Sequence, residues 1–204
     1  IREKISPYEP TGIHFLDSGN YHYMSRFWLE KIQTPFRLLV FDNHTDMQPP
    51  AFGGLLSCGG WIRAALEELP LLKEVILIGP DQEAFDQTEP ELREKVRFLS
   101  REKLAEMDEE VCRTFGDSVP EDLPLYISVD KDVLNTKEVS TTWSQGDMTL
   151  EELMCWLSWF SKRENVIGMD VCGESDPDTA EKDYLNDQAN RQILEFWMEG
   201  RKKL

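Results

Sequence analysis

Three side chains that can bind metal ions occur at alternate positions of a short stretch, D-N-H-T-D at residues 42–46. The stretch follows an apolar run, residues 38–41, which is typical of a buried strand. In extended backbone, side chains two and four residues apart lie on the same face. The spacing therefore predicts that Asp42, His44 and Asp46 converge on one metal site.

A second acidic motif supplies further candidate ligands. Asp130 and Asp132 follow the apolar residues 125–129, and His22 lies in a turn-rich segment near the start of the chain. Together with the first stretch they make four carboxylates and two imidazoles, which is more than one ion needs. Two divalent ions that share bridging carboxylates fit this number. An oxygen-rich ligand set favours Mn²⁺ over Zn²⁺, although Zn²⁺ and Fe²⁺ remain open alternatives.

The elements that position these residues alternate between strands and helices along the chain. Strands are predicted at residues 12–16, 36–41, 74–79, 96–99, 125–129 and 166–171, and helices from 23, at 61–69, 101–115, from 149 and at 183–198. The strands are continuous apolar runs, which predicts an α/β fold, a three-layer α/β/α sandwich with a mostly parallel sheet. Ligands bind beyond the carboxyl ends of the strands in such sheets. Asp42, Asp130 and Asp170 follow the apolar residues at those ends.

Composition limits the classes of partner and location. The 39 acidic and 22 basic residues give a net charge of −17, which argues against nucleic acid or an anionic membrane and favours a small-molecule substrate. No apolar run reaches the roughly 18 residues that span a bilayer. The four cysteines show no C-x-x-C spacing, and residues 1–4 do not resemble a signal peptide. We expect one domain, residues 1–204, with reduced thiols and a cytoplasmic location, and a homo-oligomer is compatible with it.

Three motifs resemble those of the arginase/agmatinase (ureohydrolase) superfamily. The D-N-H-T-D stretch is similar to the family's D-A-H-x-D motif, and S-V-D-K-D at residues 128–132 is similar to its S-x-D-x-D motif. G-N-Y-H-Y at residues 19–23 stands where the family has G-G-D-H-S. Since order and spacing agree from residue 12 to about residue 174, the chain resembles a short, divergent member of the superfamily.

The resemblance implies an arginase-like fold with a binuclear manganese centre. It also implies hydrolysis of a linear amidine or guanidino C–N bond by a hydroxide that bridges the two ions. Carried over by motif, the first ion would be bound by His22, Asp42, Asp46 and Asp130, and the second by His44, Asp132, Asp42 and Asp130.

Two residues receive catalytic roles from the same resemblance. Asp46 would orient the bridging hydroxide. Glu174 would be the acidic residue that binds the guanidinium group, although it stands one position later than the family motif places it.

Departures from the family pattern keep other functions open. Gly-Asn-Tyr replaces Gly-Gly-Asp before His22, and no histidine follows Asp46 to match the family's proton-shuttle histidine. These departures favour, as an alternative, a metal-binding or regulatory protein of the same fold that has lost turnover.

A third alternative is an aspartate-nucleophile phosphatase built on Asp130 and Asp132. It is disfavoured because Leu134 occupies the place of its usual Thr or Val, and because it leaves the histidines unexplained.

Overall fold

A computed structural model describes residues 1–50, 52–106, 109–163, 165–175 and 180–201. Its strands are β1 (Ile13–Phe15), β2 (Phe36–Phe41), β3 (Leu72–Ile78), β4 (Val96–Leu99), β5 (Leu125–Asp130) and β6 (Val166–Cys172). Its helices are α1 (Arg2–Ile5), α2 (Met24–Leu29), α3 (Trp61–Glu68), α4 (Gln82–Asp86), α5 (Pro90–Arg93), α6 (Arg101–Glu106), α7 (Glu109–Asp117), α8 (Leu150–Arg163) and α9 (Ala180–Arg201).

The six strands form one sheet in the order β1-β6-β5-β2-β3-β4, and every neighbouring pair is parallel. From β2 the chain proceeds to β3 on one side, whereas from β5 it proceeds to β6 on the other. The boundary between β2 and β5 is therefore the topological switch point, where open parallel sheets leave a crevice at their carboxyl ends. The first acidic motif directly follows β2, and the second begins at Asp130, the last residue of β5.

Helices cover both faces of the sheet, which confirms the predicted α/β/α class with a parallel sheet. Every residue of β2 and of β5 is buried, as the continuous apolar runs predict. On one face Leu39 and Ile127 pack in a cluster with residues of α8 and α9. On the other face Leu38 and Tyr126 pack in a cluster with residues of α2 and α3. Alternation along each strand thus decides which face each side chain reaches.

Short helices are the main difference from the sequence prediction. Between β3 and β4 the chain forms α4 and α5, where the amphipathic period is too short to recognise. Their starts carry local signals, because Asp81 accepts a hydrogen bond from the backbone N–H of Ala84 and Pro90 occupies the first helical turn. The predicted helix at 101–115 agrees with α6 and α7, and residues 107–108 between them lie outside the described ranges. None of the helices in the described ranges is long and apolar enough to cross a membrane.

The end of β3 packs tightly against the end of β2 at Gly79. This residue has φ +123°, and a Cβ placed there would overlap the carbonyl oxygen of Asp42 and lie 2.7 Å from Cγ2 of Val133. Glycine is the residue that adopts this backbone conformation without steric cost. The backbone of Asp42 is therefore held in place by a neighbour that has no side chain.

Gly79→Ala is expected to lower the free energy of unfolding by at least about 2 kcal/mol, because it adds both backbone strain and a steric overlap. Urea unfolding followed by circular dichroism measures the change. Gly200→Ala is the matched control, since a Cβ at that helical position has nothing within 4 Å. Its stability is expected to stay unchanged or rise by up to about 1 kcal/mol. Equal stability of the Gly79→Ala variant and the wild type would contradict the proposed role of Gly79.

Candidate metal centre

A turn, and not an extended strand, brings the D-N-H-T-D residues together. Strand β2 ends at Phe41, and Oδ1 of Asp42 then accepts a hydrogen bond from the backbone N–H of His44 at 2.6 Å. Asp46 has a positive φ of 48°, which is incompatible with a continuing strand. The extended conformation predicted for this stretch is therefore wrong. The stretch nevertheless converges, because the Asp42 side chain closes a local turn.

The first group of converging atoms surrounds Nδ1 of His22. This nitrogen lies 3.2 Å from Oδ2 of Asp42, 3.3 Å from Oδ2 of Asp46 and 3.4 Å from Oδ2 of Asp130. All four side chains are buried. Ligand atoms that each lie about 2.1 Å from one ion are about 3.0 to 3.4 Å apart, so this spacing fits a divalent cation.

The second group adjoins the first and shares Asp42 with it. Nδ1 of His44 lies 2.9 Å from Oδ2 of Asp132 and 3.5 Å from Oδ1 of Asp42. The ligand atoms of Asp42, His44 and Asp132 lie within 4.8 Å of one another. The backbone N–H of Asn43 donates to Oδ1 of Asp132 at 3.0 Å and so joins the two acidic motifs. The six residues predicted as metal ligands therefore form two adjoining groups with a shared carboxylate.

The far side of the His22 ring is held by a hydrogen-bonded chain. Nε2 lies 2.8 Å from Oγ of Ser128, and that hydroxyl donates to Oδ1 of Asp170 at 2.6 Å. In the tautomer with hydrogen on Nε2, the lone pair of Nδ1 points towards the carboxylates. Nδ1 is buried and has no hydrogen-bond partner among the residues that the structure describes. A buried imidazole lone pair that faces carboxylates requires a cation, and a metal-ligating histidine commonly has this second hydrogen bond.

The pKa shifts of the cluster show the same requirement for positive charge. Burial opposes the charged form of His44, but its contacts with Asp132 and Asp42 outweigh burial and raise its pKa to about 11. Burial and the charge of Asp42 raise the pKa of Asp46. Asp46 thus takes up a proton more readily when no other cation is near, and a divalent ion can replace that proton.

Asp46 is fixed by a residue that the sequence did not single out for this role. The indole Nε1 of Trp61 donates to Oδ2 of Asp46 at 2.7 Å, and Trp61 itself is fully buried at the start of α3. The indole ring also packs on the His22 ring, with 4.6 Å between the ring centroids. One tryptophan therefore positions two of the predicted ligands.

The carboxylate of Glu174 is engaged by a buried cation of the same chain. Nζ of Lys131 donates to Oε1 of Glu174 and, at 3.1 Å, to Oδ1 of Asn190 on α9. Nδ2 of Asn190 also donates to Oε1 of Glu174, at 2.8 Å. Lys131 is completely buried, and in the sequence it stands between the predicted ligands Asp130 and Asp132. Glu174 was predicted to bind a guanidinium group, and the structure places an ammonium group against it.

A loop with an exposed aromatic ring lies beside the His44 group. Oγ of Ser144 is 2.9 Å from Nε2 of His44, and the carbonyl of Ser144 accepts from Nδ2 of Asn43 at 2.9 Å. The next residue back, Trp143, is 45% exposed and donates from Nε1 to Oδ1 of Asn20 at 3.2 Å. Its ring is edge-on to the His44 ring, 6.0 Å between centroids. This loop therefore contacts the more exposed of the two groups, since the side chain of His44 is 34% exposed.

Sequence reasoning missed four residues of the centre, namely Trp61, Ser128, Lys131 and Cys172. Alternation could have found two of them. Ser128 stands two residues before Asp130, and Cys172 stands two residues after Asp170, so each shares a face with an acidic residue. Nothing in the spacing predicts the partner of Lys131, because α9 lies about 50 residues further along the chain.

The model of the arginase family matches residues 14–196 of the chain. An uncharacterized protein of Thermotoga maritima is 32% identical over 197 residues, which cover 94% of this chain and 70% of that protein.

Solved structures resemble the fold at lower identity. The agmatine ureohydrolase of Thermoplasma volcanium is 19% identical with a TM-score of 0.73, and the match covers 94% of this chain and 63% of that one. The proclavaminate amidino hydrolase of Streptomyces clavuligerus is 18% identical with a TM-score of 0.76, covering 98% and 68%. The chain therefore spans about two thirds of the length of these enzymes.

Ser128→Ala is expected to weaken the binding of Mn²⁺ about 10-fold to 100-fold, because the His22 ring loses the hydrogen bond that orients it. Competition with a coloured chelator measures the affinity. Ser118→Ala is the control, since that hydroxyl lies on the exposed surface and bonds to the carbonyl of Phe115. An unchanged affinity in Ser128→Ala would show that the chain from His22 to Asp170 does not support metal binding.

Glu174→Gln is expected to lower the free energy of unfolding by about 2 to 3 kcal/mol, because Lys131 is then left buried without an anion. This is the low end for a buried pair, since Glu174 retains 25% exposure. The double variant Lys131→Met/Glu174→Gln is expected to be more stable than the sum of the single changes by about 1 to 3 kcal/mol. Glu195→Gln, at an exposed position of α9, is the control in the same urea titrations. Additive effects would contradict a direct ion pair.

Proposed function

The chain belongs to the arginase family, and from this premise we propose that it is a metal-dependent hydrolase of linear amidine or guanidino C–N bonds. The substrate is a small molecule, and the active unit is one domain formed by residues 1–204. The carrying observation is the pair of adjoining ligand groups that share Asp42. The cytoplasmic location and the homo-oligomer remain predictions from the sequence.

The donor set supports two divalent ions. His22, Asp42, Asp46 and Asp130 would hold one ion, and His44 and Asp132, together with Asp42 and Asp130, would hold the other. Nδ1 of His22, which has no hydrogen-bond partner among the described residues, and the raised pKa of His44 support this assignment, since each calls for positive charge. Four carboxylates and two imidazoles make this ligand set rich in oxygen. Mn²⁺ is therefore the expected ion of the centre as a whole. Such ions act as Lewis acids and lower the pKa of water towards neutrality.

The chain's own residues would orient the attacking water and exclude competing hydrogen bonds. Trp61 fixes the Asp46 carboxylate through its indole N–H, so Asp46 can accept a hydrogen from the water in one defined orientation. Ser128 and Asp170 fix His22 from behind. The planar amidine group would approach beside the loop at Trp143 and Ser144, which contacts the partly exposed His44.

One observation favours the alternative of a metal-binding protein without turnover. Glu174, the candidate for gripping a guanidinium group, is paired with Lys131 and Asn190. A substrate cation would have to displace the Lys131 ammonium group from a buried site to reach this carboxylate. The same observation, in an active enzyme, favours substrates whose amidine group is bound without a carboxylate at residue 174.

Metal content and turnover test the proposal in that order. The chelator-stripped chain is reloaded with Mn²⁺, and we expect two ions per chain by elemental analysis. The loaded protein is then assayed for release of urea or ammonia from arginine, agmatine and other linear guanidino and amidine compounds. Asp46→Asn is expected to lower kcat/KM at least about 100-fold, because the water loses its oriented acceptor.

Asp187→Asn, at an exposed position of α9, is the matched control and is expected to keep both metal and activity. Less than one ion per chain after loading would contradict the metal centre. Two ions without turnover on any of these substrates would favour the metal-binding protein that has lost activity.

A further inference from the structure

Cys172 faces the candidate metal centre from the end of β6. In the parallel pairing of β5 with β6, Asp130 is the register partner of Cys172, and Ser128 is the partner of Asp170. Side chains at paired positions of neighbouring strands point to the same face of the sheet. The thiol of Cys172 therefore reaches the face that already holds Asp130 and His22.

The thiol is buried against two of the proposed ligands. Sγ of Cys172 donates to Oδ2 of Asp130 at 3.1 Å, and the residue is 1% exposed. Sγ, a carboxylate oxygen of Asp130 and a ring nitrogen of His22 lie within 4.8 Å of one another, a spacing that can hold an ion. Nδ1 of His22, which faces this group, is itself buried and without a hydrogen-bond partner in the described part of the chain.

A thiol at this place changes the chemistry of one half of the centre. Among the described residues, the His44 group contains only carboxylate and imidazole donors, whereas the His22 group adds a sulfur atom. Thiolate is a soft ligand that selects Zn²⁺ or Fe²⁺ over Mn²⁺, while carboxylates suit Mn²⁺. The two halves therefore differ in the ion that they favour.

We propose that Cys172 is a thiolate ligand of the ion held by His22 and Asp130, and that it gives this half of the centre a preference for Zn²⁺ or Fe²⁺. As the metal–sulfur bond forms, the S–H bond breaks and its proton leaves to solvent. The hydrogen bond to Asp130 is lost with that proton, which releases Oδ2 of Asp130 for the metal. The inference rests on the metal centre of the proposed function and adds a ligand and a selectivity to it.

Metal competition tests the selectivity. The stripped chain is dialysed against equimolar Mn²⁺ and Zn²⁺, and the bound ions are counted by elemental analysis. We expect about one Zn²⁺ per chain in the His22 half, and a fall of the bound Zn²⁺-to-Mn²⁺ ratio by about tenfold in Cys172→Ser. Cys155→Ser, at an exposed position of α8, is the control and should keep the wild-type ratio.

Cobalt spectroscopy tests the sulfur bond directly. Co²⁺-loaded wild type should show a thiolate-to-cobalt charge-transfer band in the near ultraviolet, and Cys172→Ser and Cys172→Ala should both lack it. Cys58→Ser, which removes the half-buried thiol on the other side of the centre, should keep the band. Circular dichroism of each variant establishes that it is folded.

The outcomes separate the two proposals. A wild-type chain that binds two ions but shows no charge-transfer band, or a Cys172→Ser variant that keeps the band or the wild-type ion ratio, would overturn the role of Cys172 alone. A wild-type chain that binds no ion would overturn the metal centre and this inference together.

Discussion

The repulsion among four buried carboxylates is the constraint on which the rest of the centre depends. Asp42, Asp46, Asp130 and Asp132 are each less than a tenth exposed, and they meet at the carboxyl ends of two adjacent strands. Like charges at such distances and at low dielectric constant cannot all ionise without a cation. The surroundings of the cluster follow from this requirement. The two imidazoles supply nitrogen ligands for a cation. Trp61 and backbone N–H groups donate hydrogen bonds to the carboxylates. The buried ammonium group of Lys131 lies on the other side of the same strand end.

The sheet supplies the geometry that lets this cluster exist. Alternation along β5 sends Ser128 and Asp130 to one face, whereas the side chain of Lys131, which directly follows β5, reaches Asn190 of α9. Two neighbouring residues thereby serve opposite layers of the sandwich. Asp130 belongs to the candidate metal cluster, and its neighbour Lys131 contacts α9. A change in the backbone at the switch point would therefore disturb both the cluster and the packing of α9. The close approach of Gly79 to the Asp42 carbonyl leaves no room for a side chain at that point of the backbone.

The sequence predicted the class of fold and the gathering of six polar residues, because both depend on short-range patterns. Continuous apolar runs indicate buried parallel strands, and acidic residues at their ends must meet at one edge. The turn at residues 42–46 could not be predicted, since it depends on the hydrogen bond from His44 to Asp42 and on the positive φ of Asp46. The partners of Glu174 also could not be predicted from the sequence, because Lys131 and Asn190 contact it only once α9 has packed on the sheet.

The pairing of β1 with β6 has a consequence for the order in which the chain assembles. β1 has a single neighbour in the sheet, and its residue Ile13 pairs with Met169 near the other end of the sequence. Such distant contacts form late, because the loop that they close is long. Closing it costs conformational entropy before the new contacts stabilise the fold. His22 lies a few residues after β1, beyond a short turn, so we expect this earliest residue of the cluster to take its place only after β6 has been made. During synthesis, the sheet from β2 to β5 can form first, and the N-terminal segment then docks to complete it.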